Sequence, residues 1–168
     1  MTALTKGLLI GAIHVAIVSS LGAKLLVDRH ARPRIWVRTA PVDPNLPIRG
    51  RYVQLRIEAA PSGLERFPIQ ATTQVILSVG DGRLIAEADV IETASSVWGQ
   101  VATGGQGEQM VVLTQPVAYF IPEHVADPSR RAPGEELWVE VTVPRAGLPR
   151  PIRLGVKKDG VLTPIDVS

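Results

Sequence analysis

Catalysis by this chain would have to draw on three histidines, His14, His30 and His124, on scattered serines, or on carboxylates. His124, Asp127 and Ser129 lie close together in sequence. A hydrolytic triad, however, is defined by three-dimensional roles, and no serine sits in the Gly-x-Ser-x-Gly turn that presents a nucleophile. A serine–lysine dyad would need a desolvated lysine beside the serine. Beyond the N-terminal region the lysines are Lys157 and Lys158, at a hairpin end where solvated charge is the expectation. Nucleophile candidates for a membrane-tethered hydrolase reduce to Ser95, Ser96 and Ser129. Glu123, His124 and Asp127 could approach a metal, but their spacing fits a surface loop better. Gly104, Gly105 and Gly107 lack the Lys-Ser/Thr that completes a phosphate loop, so they read as a hairpin tip. With no cysteine there is no disulfide, thiolate nucleophile or thiolate zinc site. No catalytic, metal or cofactor-binding residue is nominated, and no cofactor is expected.

The elements that would position any site come in two kinds. Gly7 to Ala23 carries no formal charge, and Leu25, Leu26 and Val27 prolong the apolar run past Lys24. Such a helix, about 25 to 32 Å long, matches a bilayer core of about 30 Å. Residues 1–27 therefore read as a membrane anchor, with a cleaved signal peptide as the rival. Gly7 and Gly11, and separately Ala12, Ala16 and Ser20, recur at four-residue spacing and offer close-packing faces for a membrane partner or a second copy. His14 sits near mid-span, where a neutral imidazole bonded within a helix pair is expected. Residues 28–38 read as a basic juxtamembrane linker, interrupted by Pro33, and a first strand.

Residues 39–168 read as a β-rich soluble domain. Its expected strands, with the first beginning just before it, are Ile35–Thr39, Arg51–Ala59, Thr73–Val79, Arg83–Ile91, Ser96–Val101, Met110–Ile121, Leu137–Val143, Ile152–Val156 and Val161–Ile165. Each alternates apolar and polar residues and is bounded by glycine, proline or aspartate. Gly80-Asp81-Gly82 and Lys158-Asp159-Gly160 are hairpin signals. Short strands in this number, with turns at regular spacing, imply a compact antiparallel barrel or sandwich. Pro122 to Ala126 reads as a helical turn.

The segment Pro41 to Ile57, PVDPNLPIRGRYVQLRI, resembles the GDYXXLXY family of bacterial membrane-anchored proteins. Asp43-Pro44 matches its Pro-x-Asp-Pro turn, Arg49-Gly50 its Arg-Gly step, and Tyr52 and Leu55 its named motif. Arg51 stands where the motif has aspartate and Ile57 where it ends in tyrosine. Tyr119, Pro122 and Glu123 match a later tyrosine-aromatic-x-Pro-Glu block. The resemblance implies a soluble domain on the extracytoplasmic side and an association with polytopic membrane proteins; it brings no reaction. Arginine in place of the aspartate makes the motif architectural, and Arg49 is expected to pair with Glu123 across the two blocks.

Charge decides between partners. Through residue 38 the chain has six basic residues and one acid, a charge of +5; the remaining 130 residues hold 12 basic and 15 acidic, a charge of −3. The basic linker suits anionic lipid headgroups, and the mildly acidic domain with few aromatics excludes nucleic acid as an expected partner. The same arginines, by the positive-inside rule, would keep the domain in the cytoplasm, against the side implied by the family resemblance. The reading that follows is a single-pass, non-enzymatic accessory protein bound to an integral membrane partner, with a tethered hydrolase or a small-ligand-binding barrel as alternatives.

Overall fold

The computed structural model describes residues 3–40, 52–105, 107–122, 124–125 and 127–166. These form two units, Met1–Arg32 and Pro33–Ser168.

The first unit is one helix, α1 (Ala3–Ala31). Leu8, Leu9, Ile10 and Val18 are exposed on four different sides of it, so its apolar surface runs all round rather than along one stripe. Leu4–Lys24 is long and apolar enough to cross a membrane. The linker expected from residue 28 is instead helical through Ala31. Asp28, Arg29, His30 and Ala31 contain no breaker, so hydrogen bonding continues until Pro33, which has no N–H and disfavours helical geometry at the residue before it.

The second unit is mainly antiparallel β-sheet, built from β1 (Arg34–Ala40), β2 (Tyr52–Ser62), β3 (Thr72–Gly80), β4 (Arg83–Ala88), β5 (Val97–Thr103), β6 (Gln109–Leu113), β7 (Val117–Phe120), β8 (Glu135–Thr142), β9 (Arg150–Lys158) and β10 (Val161–Pro164). The described residues thus hold ten strands where nine segments were expected. One extra comes from Met110–Ile121, which splits into β6 and β7: Thr114 N–H still bonds to Trp98 O at 3.0 Å, but Pro116 has no N–H with which to continue. The strand expected to reach Ile91 stops at Ala88. There the Asp89 carboxylate accepts from Ile91 N (3.1 Å), Thr93 N (2.6 Å) and Thr93 Oγ1 (2.7 Å), so a side-chain-bonded turn replaces the ladder. Near Pro122 a single Val125 N to Pro122 O bond of 3.2 Å forms a turn, with no helix among the described residues.

β2 is the organising strand. Along its length it pairs successively with β7, β1, β6 and, in parallel, β4. The path β2-β4-β3-β5-β6 returns to β2, giving a barrel-like ring, while β1, β8, β9 and β10 extend as a second antiparallel sheet. Val53, Leu55, Ile57 and Ala59 alternate inward along β2 and join Val75, Val111, Leu113, Val139, Val141 and Leu154 in one core. Asp81-Gly82 and Asp159-Gly160 close two hairpins with positive φ at both central residues, the geometry that matches strand twist.

Candidate functional site

β2 carries the motif residues Tyr52 and Leu55 and also joins the two motif blocks of the sequence. Tyr52 pairs with Phe120 and Val53 with Tyr119 in the β2–β7 ladder. The Tyr52 and Phe120 rings meet edge-on, their centroids 6.0 Å apart at 60°. Leu55 is wholly buried, and burial pushes the Tyr119 phenol above its ordinary pKa. The blocks are therefore brought together by backbone register and ring contact. Asp43, Pro44, Arg49, Gly50 and Glu123, and with them the expected Arg49–Glu123 pair, lie outside the described residues.

Two residues beyond that ladder, on the polar side of the strands, lies a cluster sequence reading missed. Arg38 of β1 reaches Glu136 of β8 at 3.0 Å and Glu58 of β2 at 3.7 Å. Glu58 is raised from its ordinary value of 4.5, first by burial and then by the negative charges of Glu136 and Glu108, with Arg38 pulling the other way. A raised folded-state value means that its contribution to stability is complete below about pH 4.5 and is lost as pH rises through the folded value. Glu58→Gln should therefore leave the melting temperature nearly unchanged at pH 4 and raise it relative to wild type at pH 7, with the gap opening as pH rises. A gap that closes with rising pH would count against the assignment.

Beside this cluster, between β1, β2, β8 and the segment around 129–131, a cavity of about 230 Å³ is lined by Arg38, Gln54, Ser129, Arg131, Glu135 and Glu136, with Leu137 and Ala40 as apolar wall. Glu136 is held by Arg38 and by Trp138 Nε1 (3.1 Å); Glu135 accepts from Lys158 Nζ at 3.5 Å and from Ala132 N at 3.4 Å. On the neighbouring strands Lys157 lies 4.5 Å from the Trp138 ring centre and Arg153 5.3 Å from that of Trp36.

The serines have other work. Ser96 Oγ donates to Gln74 Oε1 and lies 2.8 Å from Thr93 O, and Ser129 Oγ donates to Asp127 Oδ1 at 2.7 Å. Asp127, grouped above with His124 and Glu123, thus closes a tight turn onto Ser129, whose N–H it also receives at 2.9 Å. No group of three or more metal-ligating side chains occurs among the described residues.

In the separate helix, Gly7, Gly11, His14, Val18 and Gly22 fall within roughly 80° of arc at 100° per residue. Ala12, Ala16 and Ser20 form a second line on roughly the opposite side, where Ser20 Oγ bonds back to Ile17 O at 2.8 Å. His14 Nδ1 lies 2.9 Å from Ile10 O. A carbonyl only accepts, so Nδ1 is the donor of this bond within the helix.

The family model described as GDYXXLXY protein matches residues 16–154, most of the helix and nearly all of the β-unit. The chain belongs to the GDYXXLXY family. No curated protein and no solved structure matches it. In this GDYXXLXY protein the motif is chiefly a strand: Tyr52 and Leu55 face opposite sides of β2, one towards a neighbouring ring and one into the core. Its unnamed position between them, Gln54, lines the cavity.

Proposed function

We propose that this GDYXXLXY protein is a non-enzymatic, single-pass protein of a bacterial cytoplasmic membrane, with its β-domain on the extracytoplasmic side, acting as an accessory subunit of an integral membrane partner. The observation that carries the reading is the helix face of Gly7, Gly11, His14 and Gly22. Glycines let a second helix approach closely in lipid, and the His14 ring on the same face brings a polar group whose remaining hydrogen-bonding capacity hydrocarbon does not satisfy. The β-domain supports the same reading through its architectural motif and the hydrogen bonds that engage the Ser96 and Ser129 hydroxyls.

Extraction in mild detergent followed by affinity purification tests the proposal. An integral membrane protein should co-purify with wild type and be lost with Gly11→Leu, which fills the face, while Ala16→Leu on the other side retains it. A strictly monomeric protein with no membrane partner overturns the reading. A C-terminal reporter active on only one side of the membrane tests the orientation independently.

A further inference from the structure

Cations on β1 and β9 find partners everywhere but at one end. Arg38 meets Glu136 and Glu58, Arg153 meets Glu140, Lys158 meets Glu135, and Lys157 covers the Trp138 ring. Arg34 and Arg150 are exposed and have no ion-pair or hydrogen-bond partner among the described residues, and the same holds for Arg145 in the connection between β8 and β9. Register gathers the three at one end of the sheet. Arg34, at the start of β1, stands opposite Thr142, and Thr142 stands opposite Arg150 at the start of β9. The β8–β9 connection begins beside them, where Val143 N–H donates to Pro33 O at 3.3 Å. Residues 29–42 and 141–158 contain no acid that would neutralise this end.

An apolar tip opens the same way. β4 runs parallel to β2 and so against β1, which directs the turn after β4 towards the end where β1 begins. There Val90 and Ile91 are 75% and 81% exposed. The Asp89 carboxylate, bonded to Ile91 N and Thr93 N, already holds that turn in shape, so seating it in a partner costs little further ordering. This is also the end at which the chain enters the β-unit: α1 stops at Ala31, and Arg32 alone separates it from Pro33. Beyond Lys24, where the apolar stretch ends, residues 25–31 add only about 10 Å of helix.

We propose that this end of the β-unit seats on an anionic bilayer surface, with Arg34, Arg145 and Arg150 against lipid phosphates and Val90 and Ile91 in the interfacial layer. The seat rests on the reading of α1 as a membrane span, and it places the lipid contact on the folded β-unit as well as on the basic segment before it. The exposed Glu92 beside Ile91 keeps the tip shallow, at the level of the headgroups.

The chain has no cysteine, so Ala146→Cys in the β8–β9 connection gives a single thiol for an environment-sensitive dye. Arg83→Cys, at the other end of β4, is the control. The full chain is reconstituted, without other proteins, into phosphatidylcholine vesicles with or without about a quarter of phosphatidylglycerol. The dye at position 146 should shift to the blue only where phosphatidylglycerol is present, and about 0.5 M salt should reverse the shift. The dye at position 83 should not respond. Added to Ala146→Cys, Arg150→Gln should lower the ratio of seated to free dye about fivefold, as expected for one arginine at an anionic surface. Ile91→Ser should lower it while leaving the salt dependence intact. No shift at position 146, an equal shift in phosphatidylcholine alone, or a shift unchanged by Arg150→Gln overturns the seat. Retention of the chain in the vesicles through an alkaline carbonate wash tests the span separately: a chain that washes off overturns the span and the seat with it, whereas a retained chain with an unmoved dye overturns the seat alone.

Discussion

Replacing Leu55 with alanine is expected to cost about 3 kcal/mol of unfolding free energy, the usual price of emptying a leucine site in a core that cannot collapse. Leu55 has no exposed surface, and its neighbours along the same face of β2, Val53 and Ile57, are 5% and 1% exposed. The strand around it is also held from several sides, by β7 at Leu55 itself and by β1 and β6 just beyond. It has little freedom to shift and fill the void. Denaturant unfolding of the full chain in micelles should show a lower midpoint with an unchanged slope. Phe120→Ala provides the contrast: that ring is 75% exposed and should cost under about 1 kcal/mol despite its size. Equal losses in the two variants would mean that the family leucine is not the core anchor described here.

The second large effect comes from adding atoms. Gly99→Ala would put a methyl carbon 2.5 Å from Val111 Cγ1 and 3.3 Å from Val75 Cγ2. Both valines are wholly buried, and they sit on strands that flank β5 in the ring. Neither can rotate away without striking the core, so the change is expected to cost about 1–3 kcal/mol. Trimming the obstacle should help: the double variant Gly99→Ala with Val111→Ala should be more stable than the sum of the single losses allows. Such coupling is expected for residues in direct contact, and strict additivity would show that the methyl is accommodated elsewhere.

Much of this architecture is written in local pattern. Alternation located β1, β3 and β5 within two residues and β2 within three, because a half-buried strand has no other way to distribute Val53, Leu55 and Ile57 against Gln54 and Arg56. The Asp81-Gly82 and Asp159-Gly160 turns were equally plain, since their chemistry is complete within two residues. Local pattern failed where a single residue competes with the ladder. Asp89 folds its carboxylate into its own turn, and Pro116 withholds one hydrogen bond; either event is outweighed in a tally of apolar residues. The parallel pairing of β2 with β4 was invisible for another reason, because register between distant segments is set by packing. The site suffered most from this. Arg38, Glu58 and Glu136 come from three strands and converge only through the β1–β8 and β1–β2 registers. One sequence signal pointed that way: each is a charge at an alternating position inside a strongly apolar strand, where a partner has to be found.

The pairing of β1 with β8 also fixes an order of assembly. Ile35 is bonded opposite Val141, so the first strand made is completed by one of the last, and only residues after it supply β9 and β10. During synthesis β1 can pair with β2 at Thr39 and Ala40, but its stretch bearing Ile35 and Val37 must wait until about a hundred further residues have emerged. The ring of β2 to β6 can close in the meantime, since all its strands lie between those two. A chain held by its N-terminus would thus carry an apolar, half-paired strand next to its tether in sequence, and that strand would become safe from mispairing only when β8 arrives.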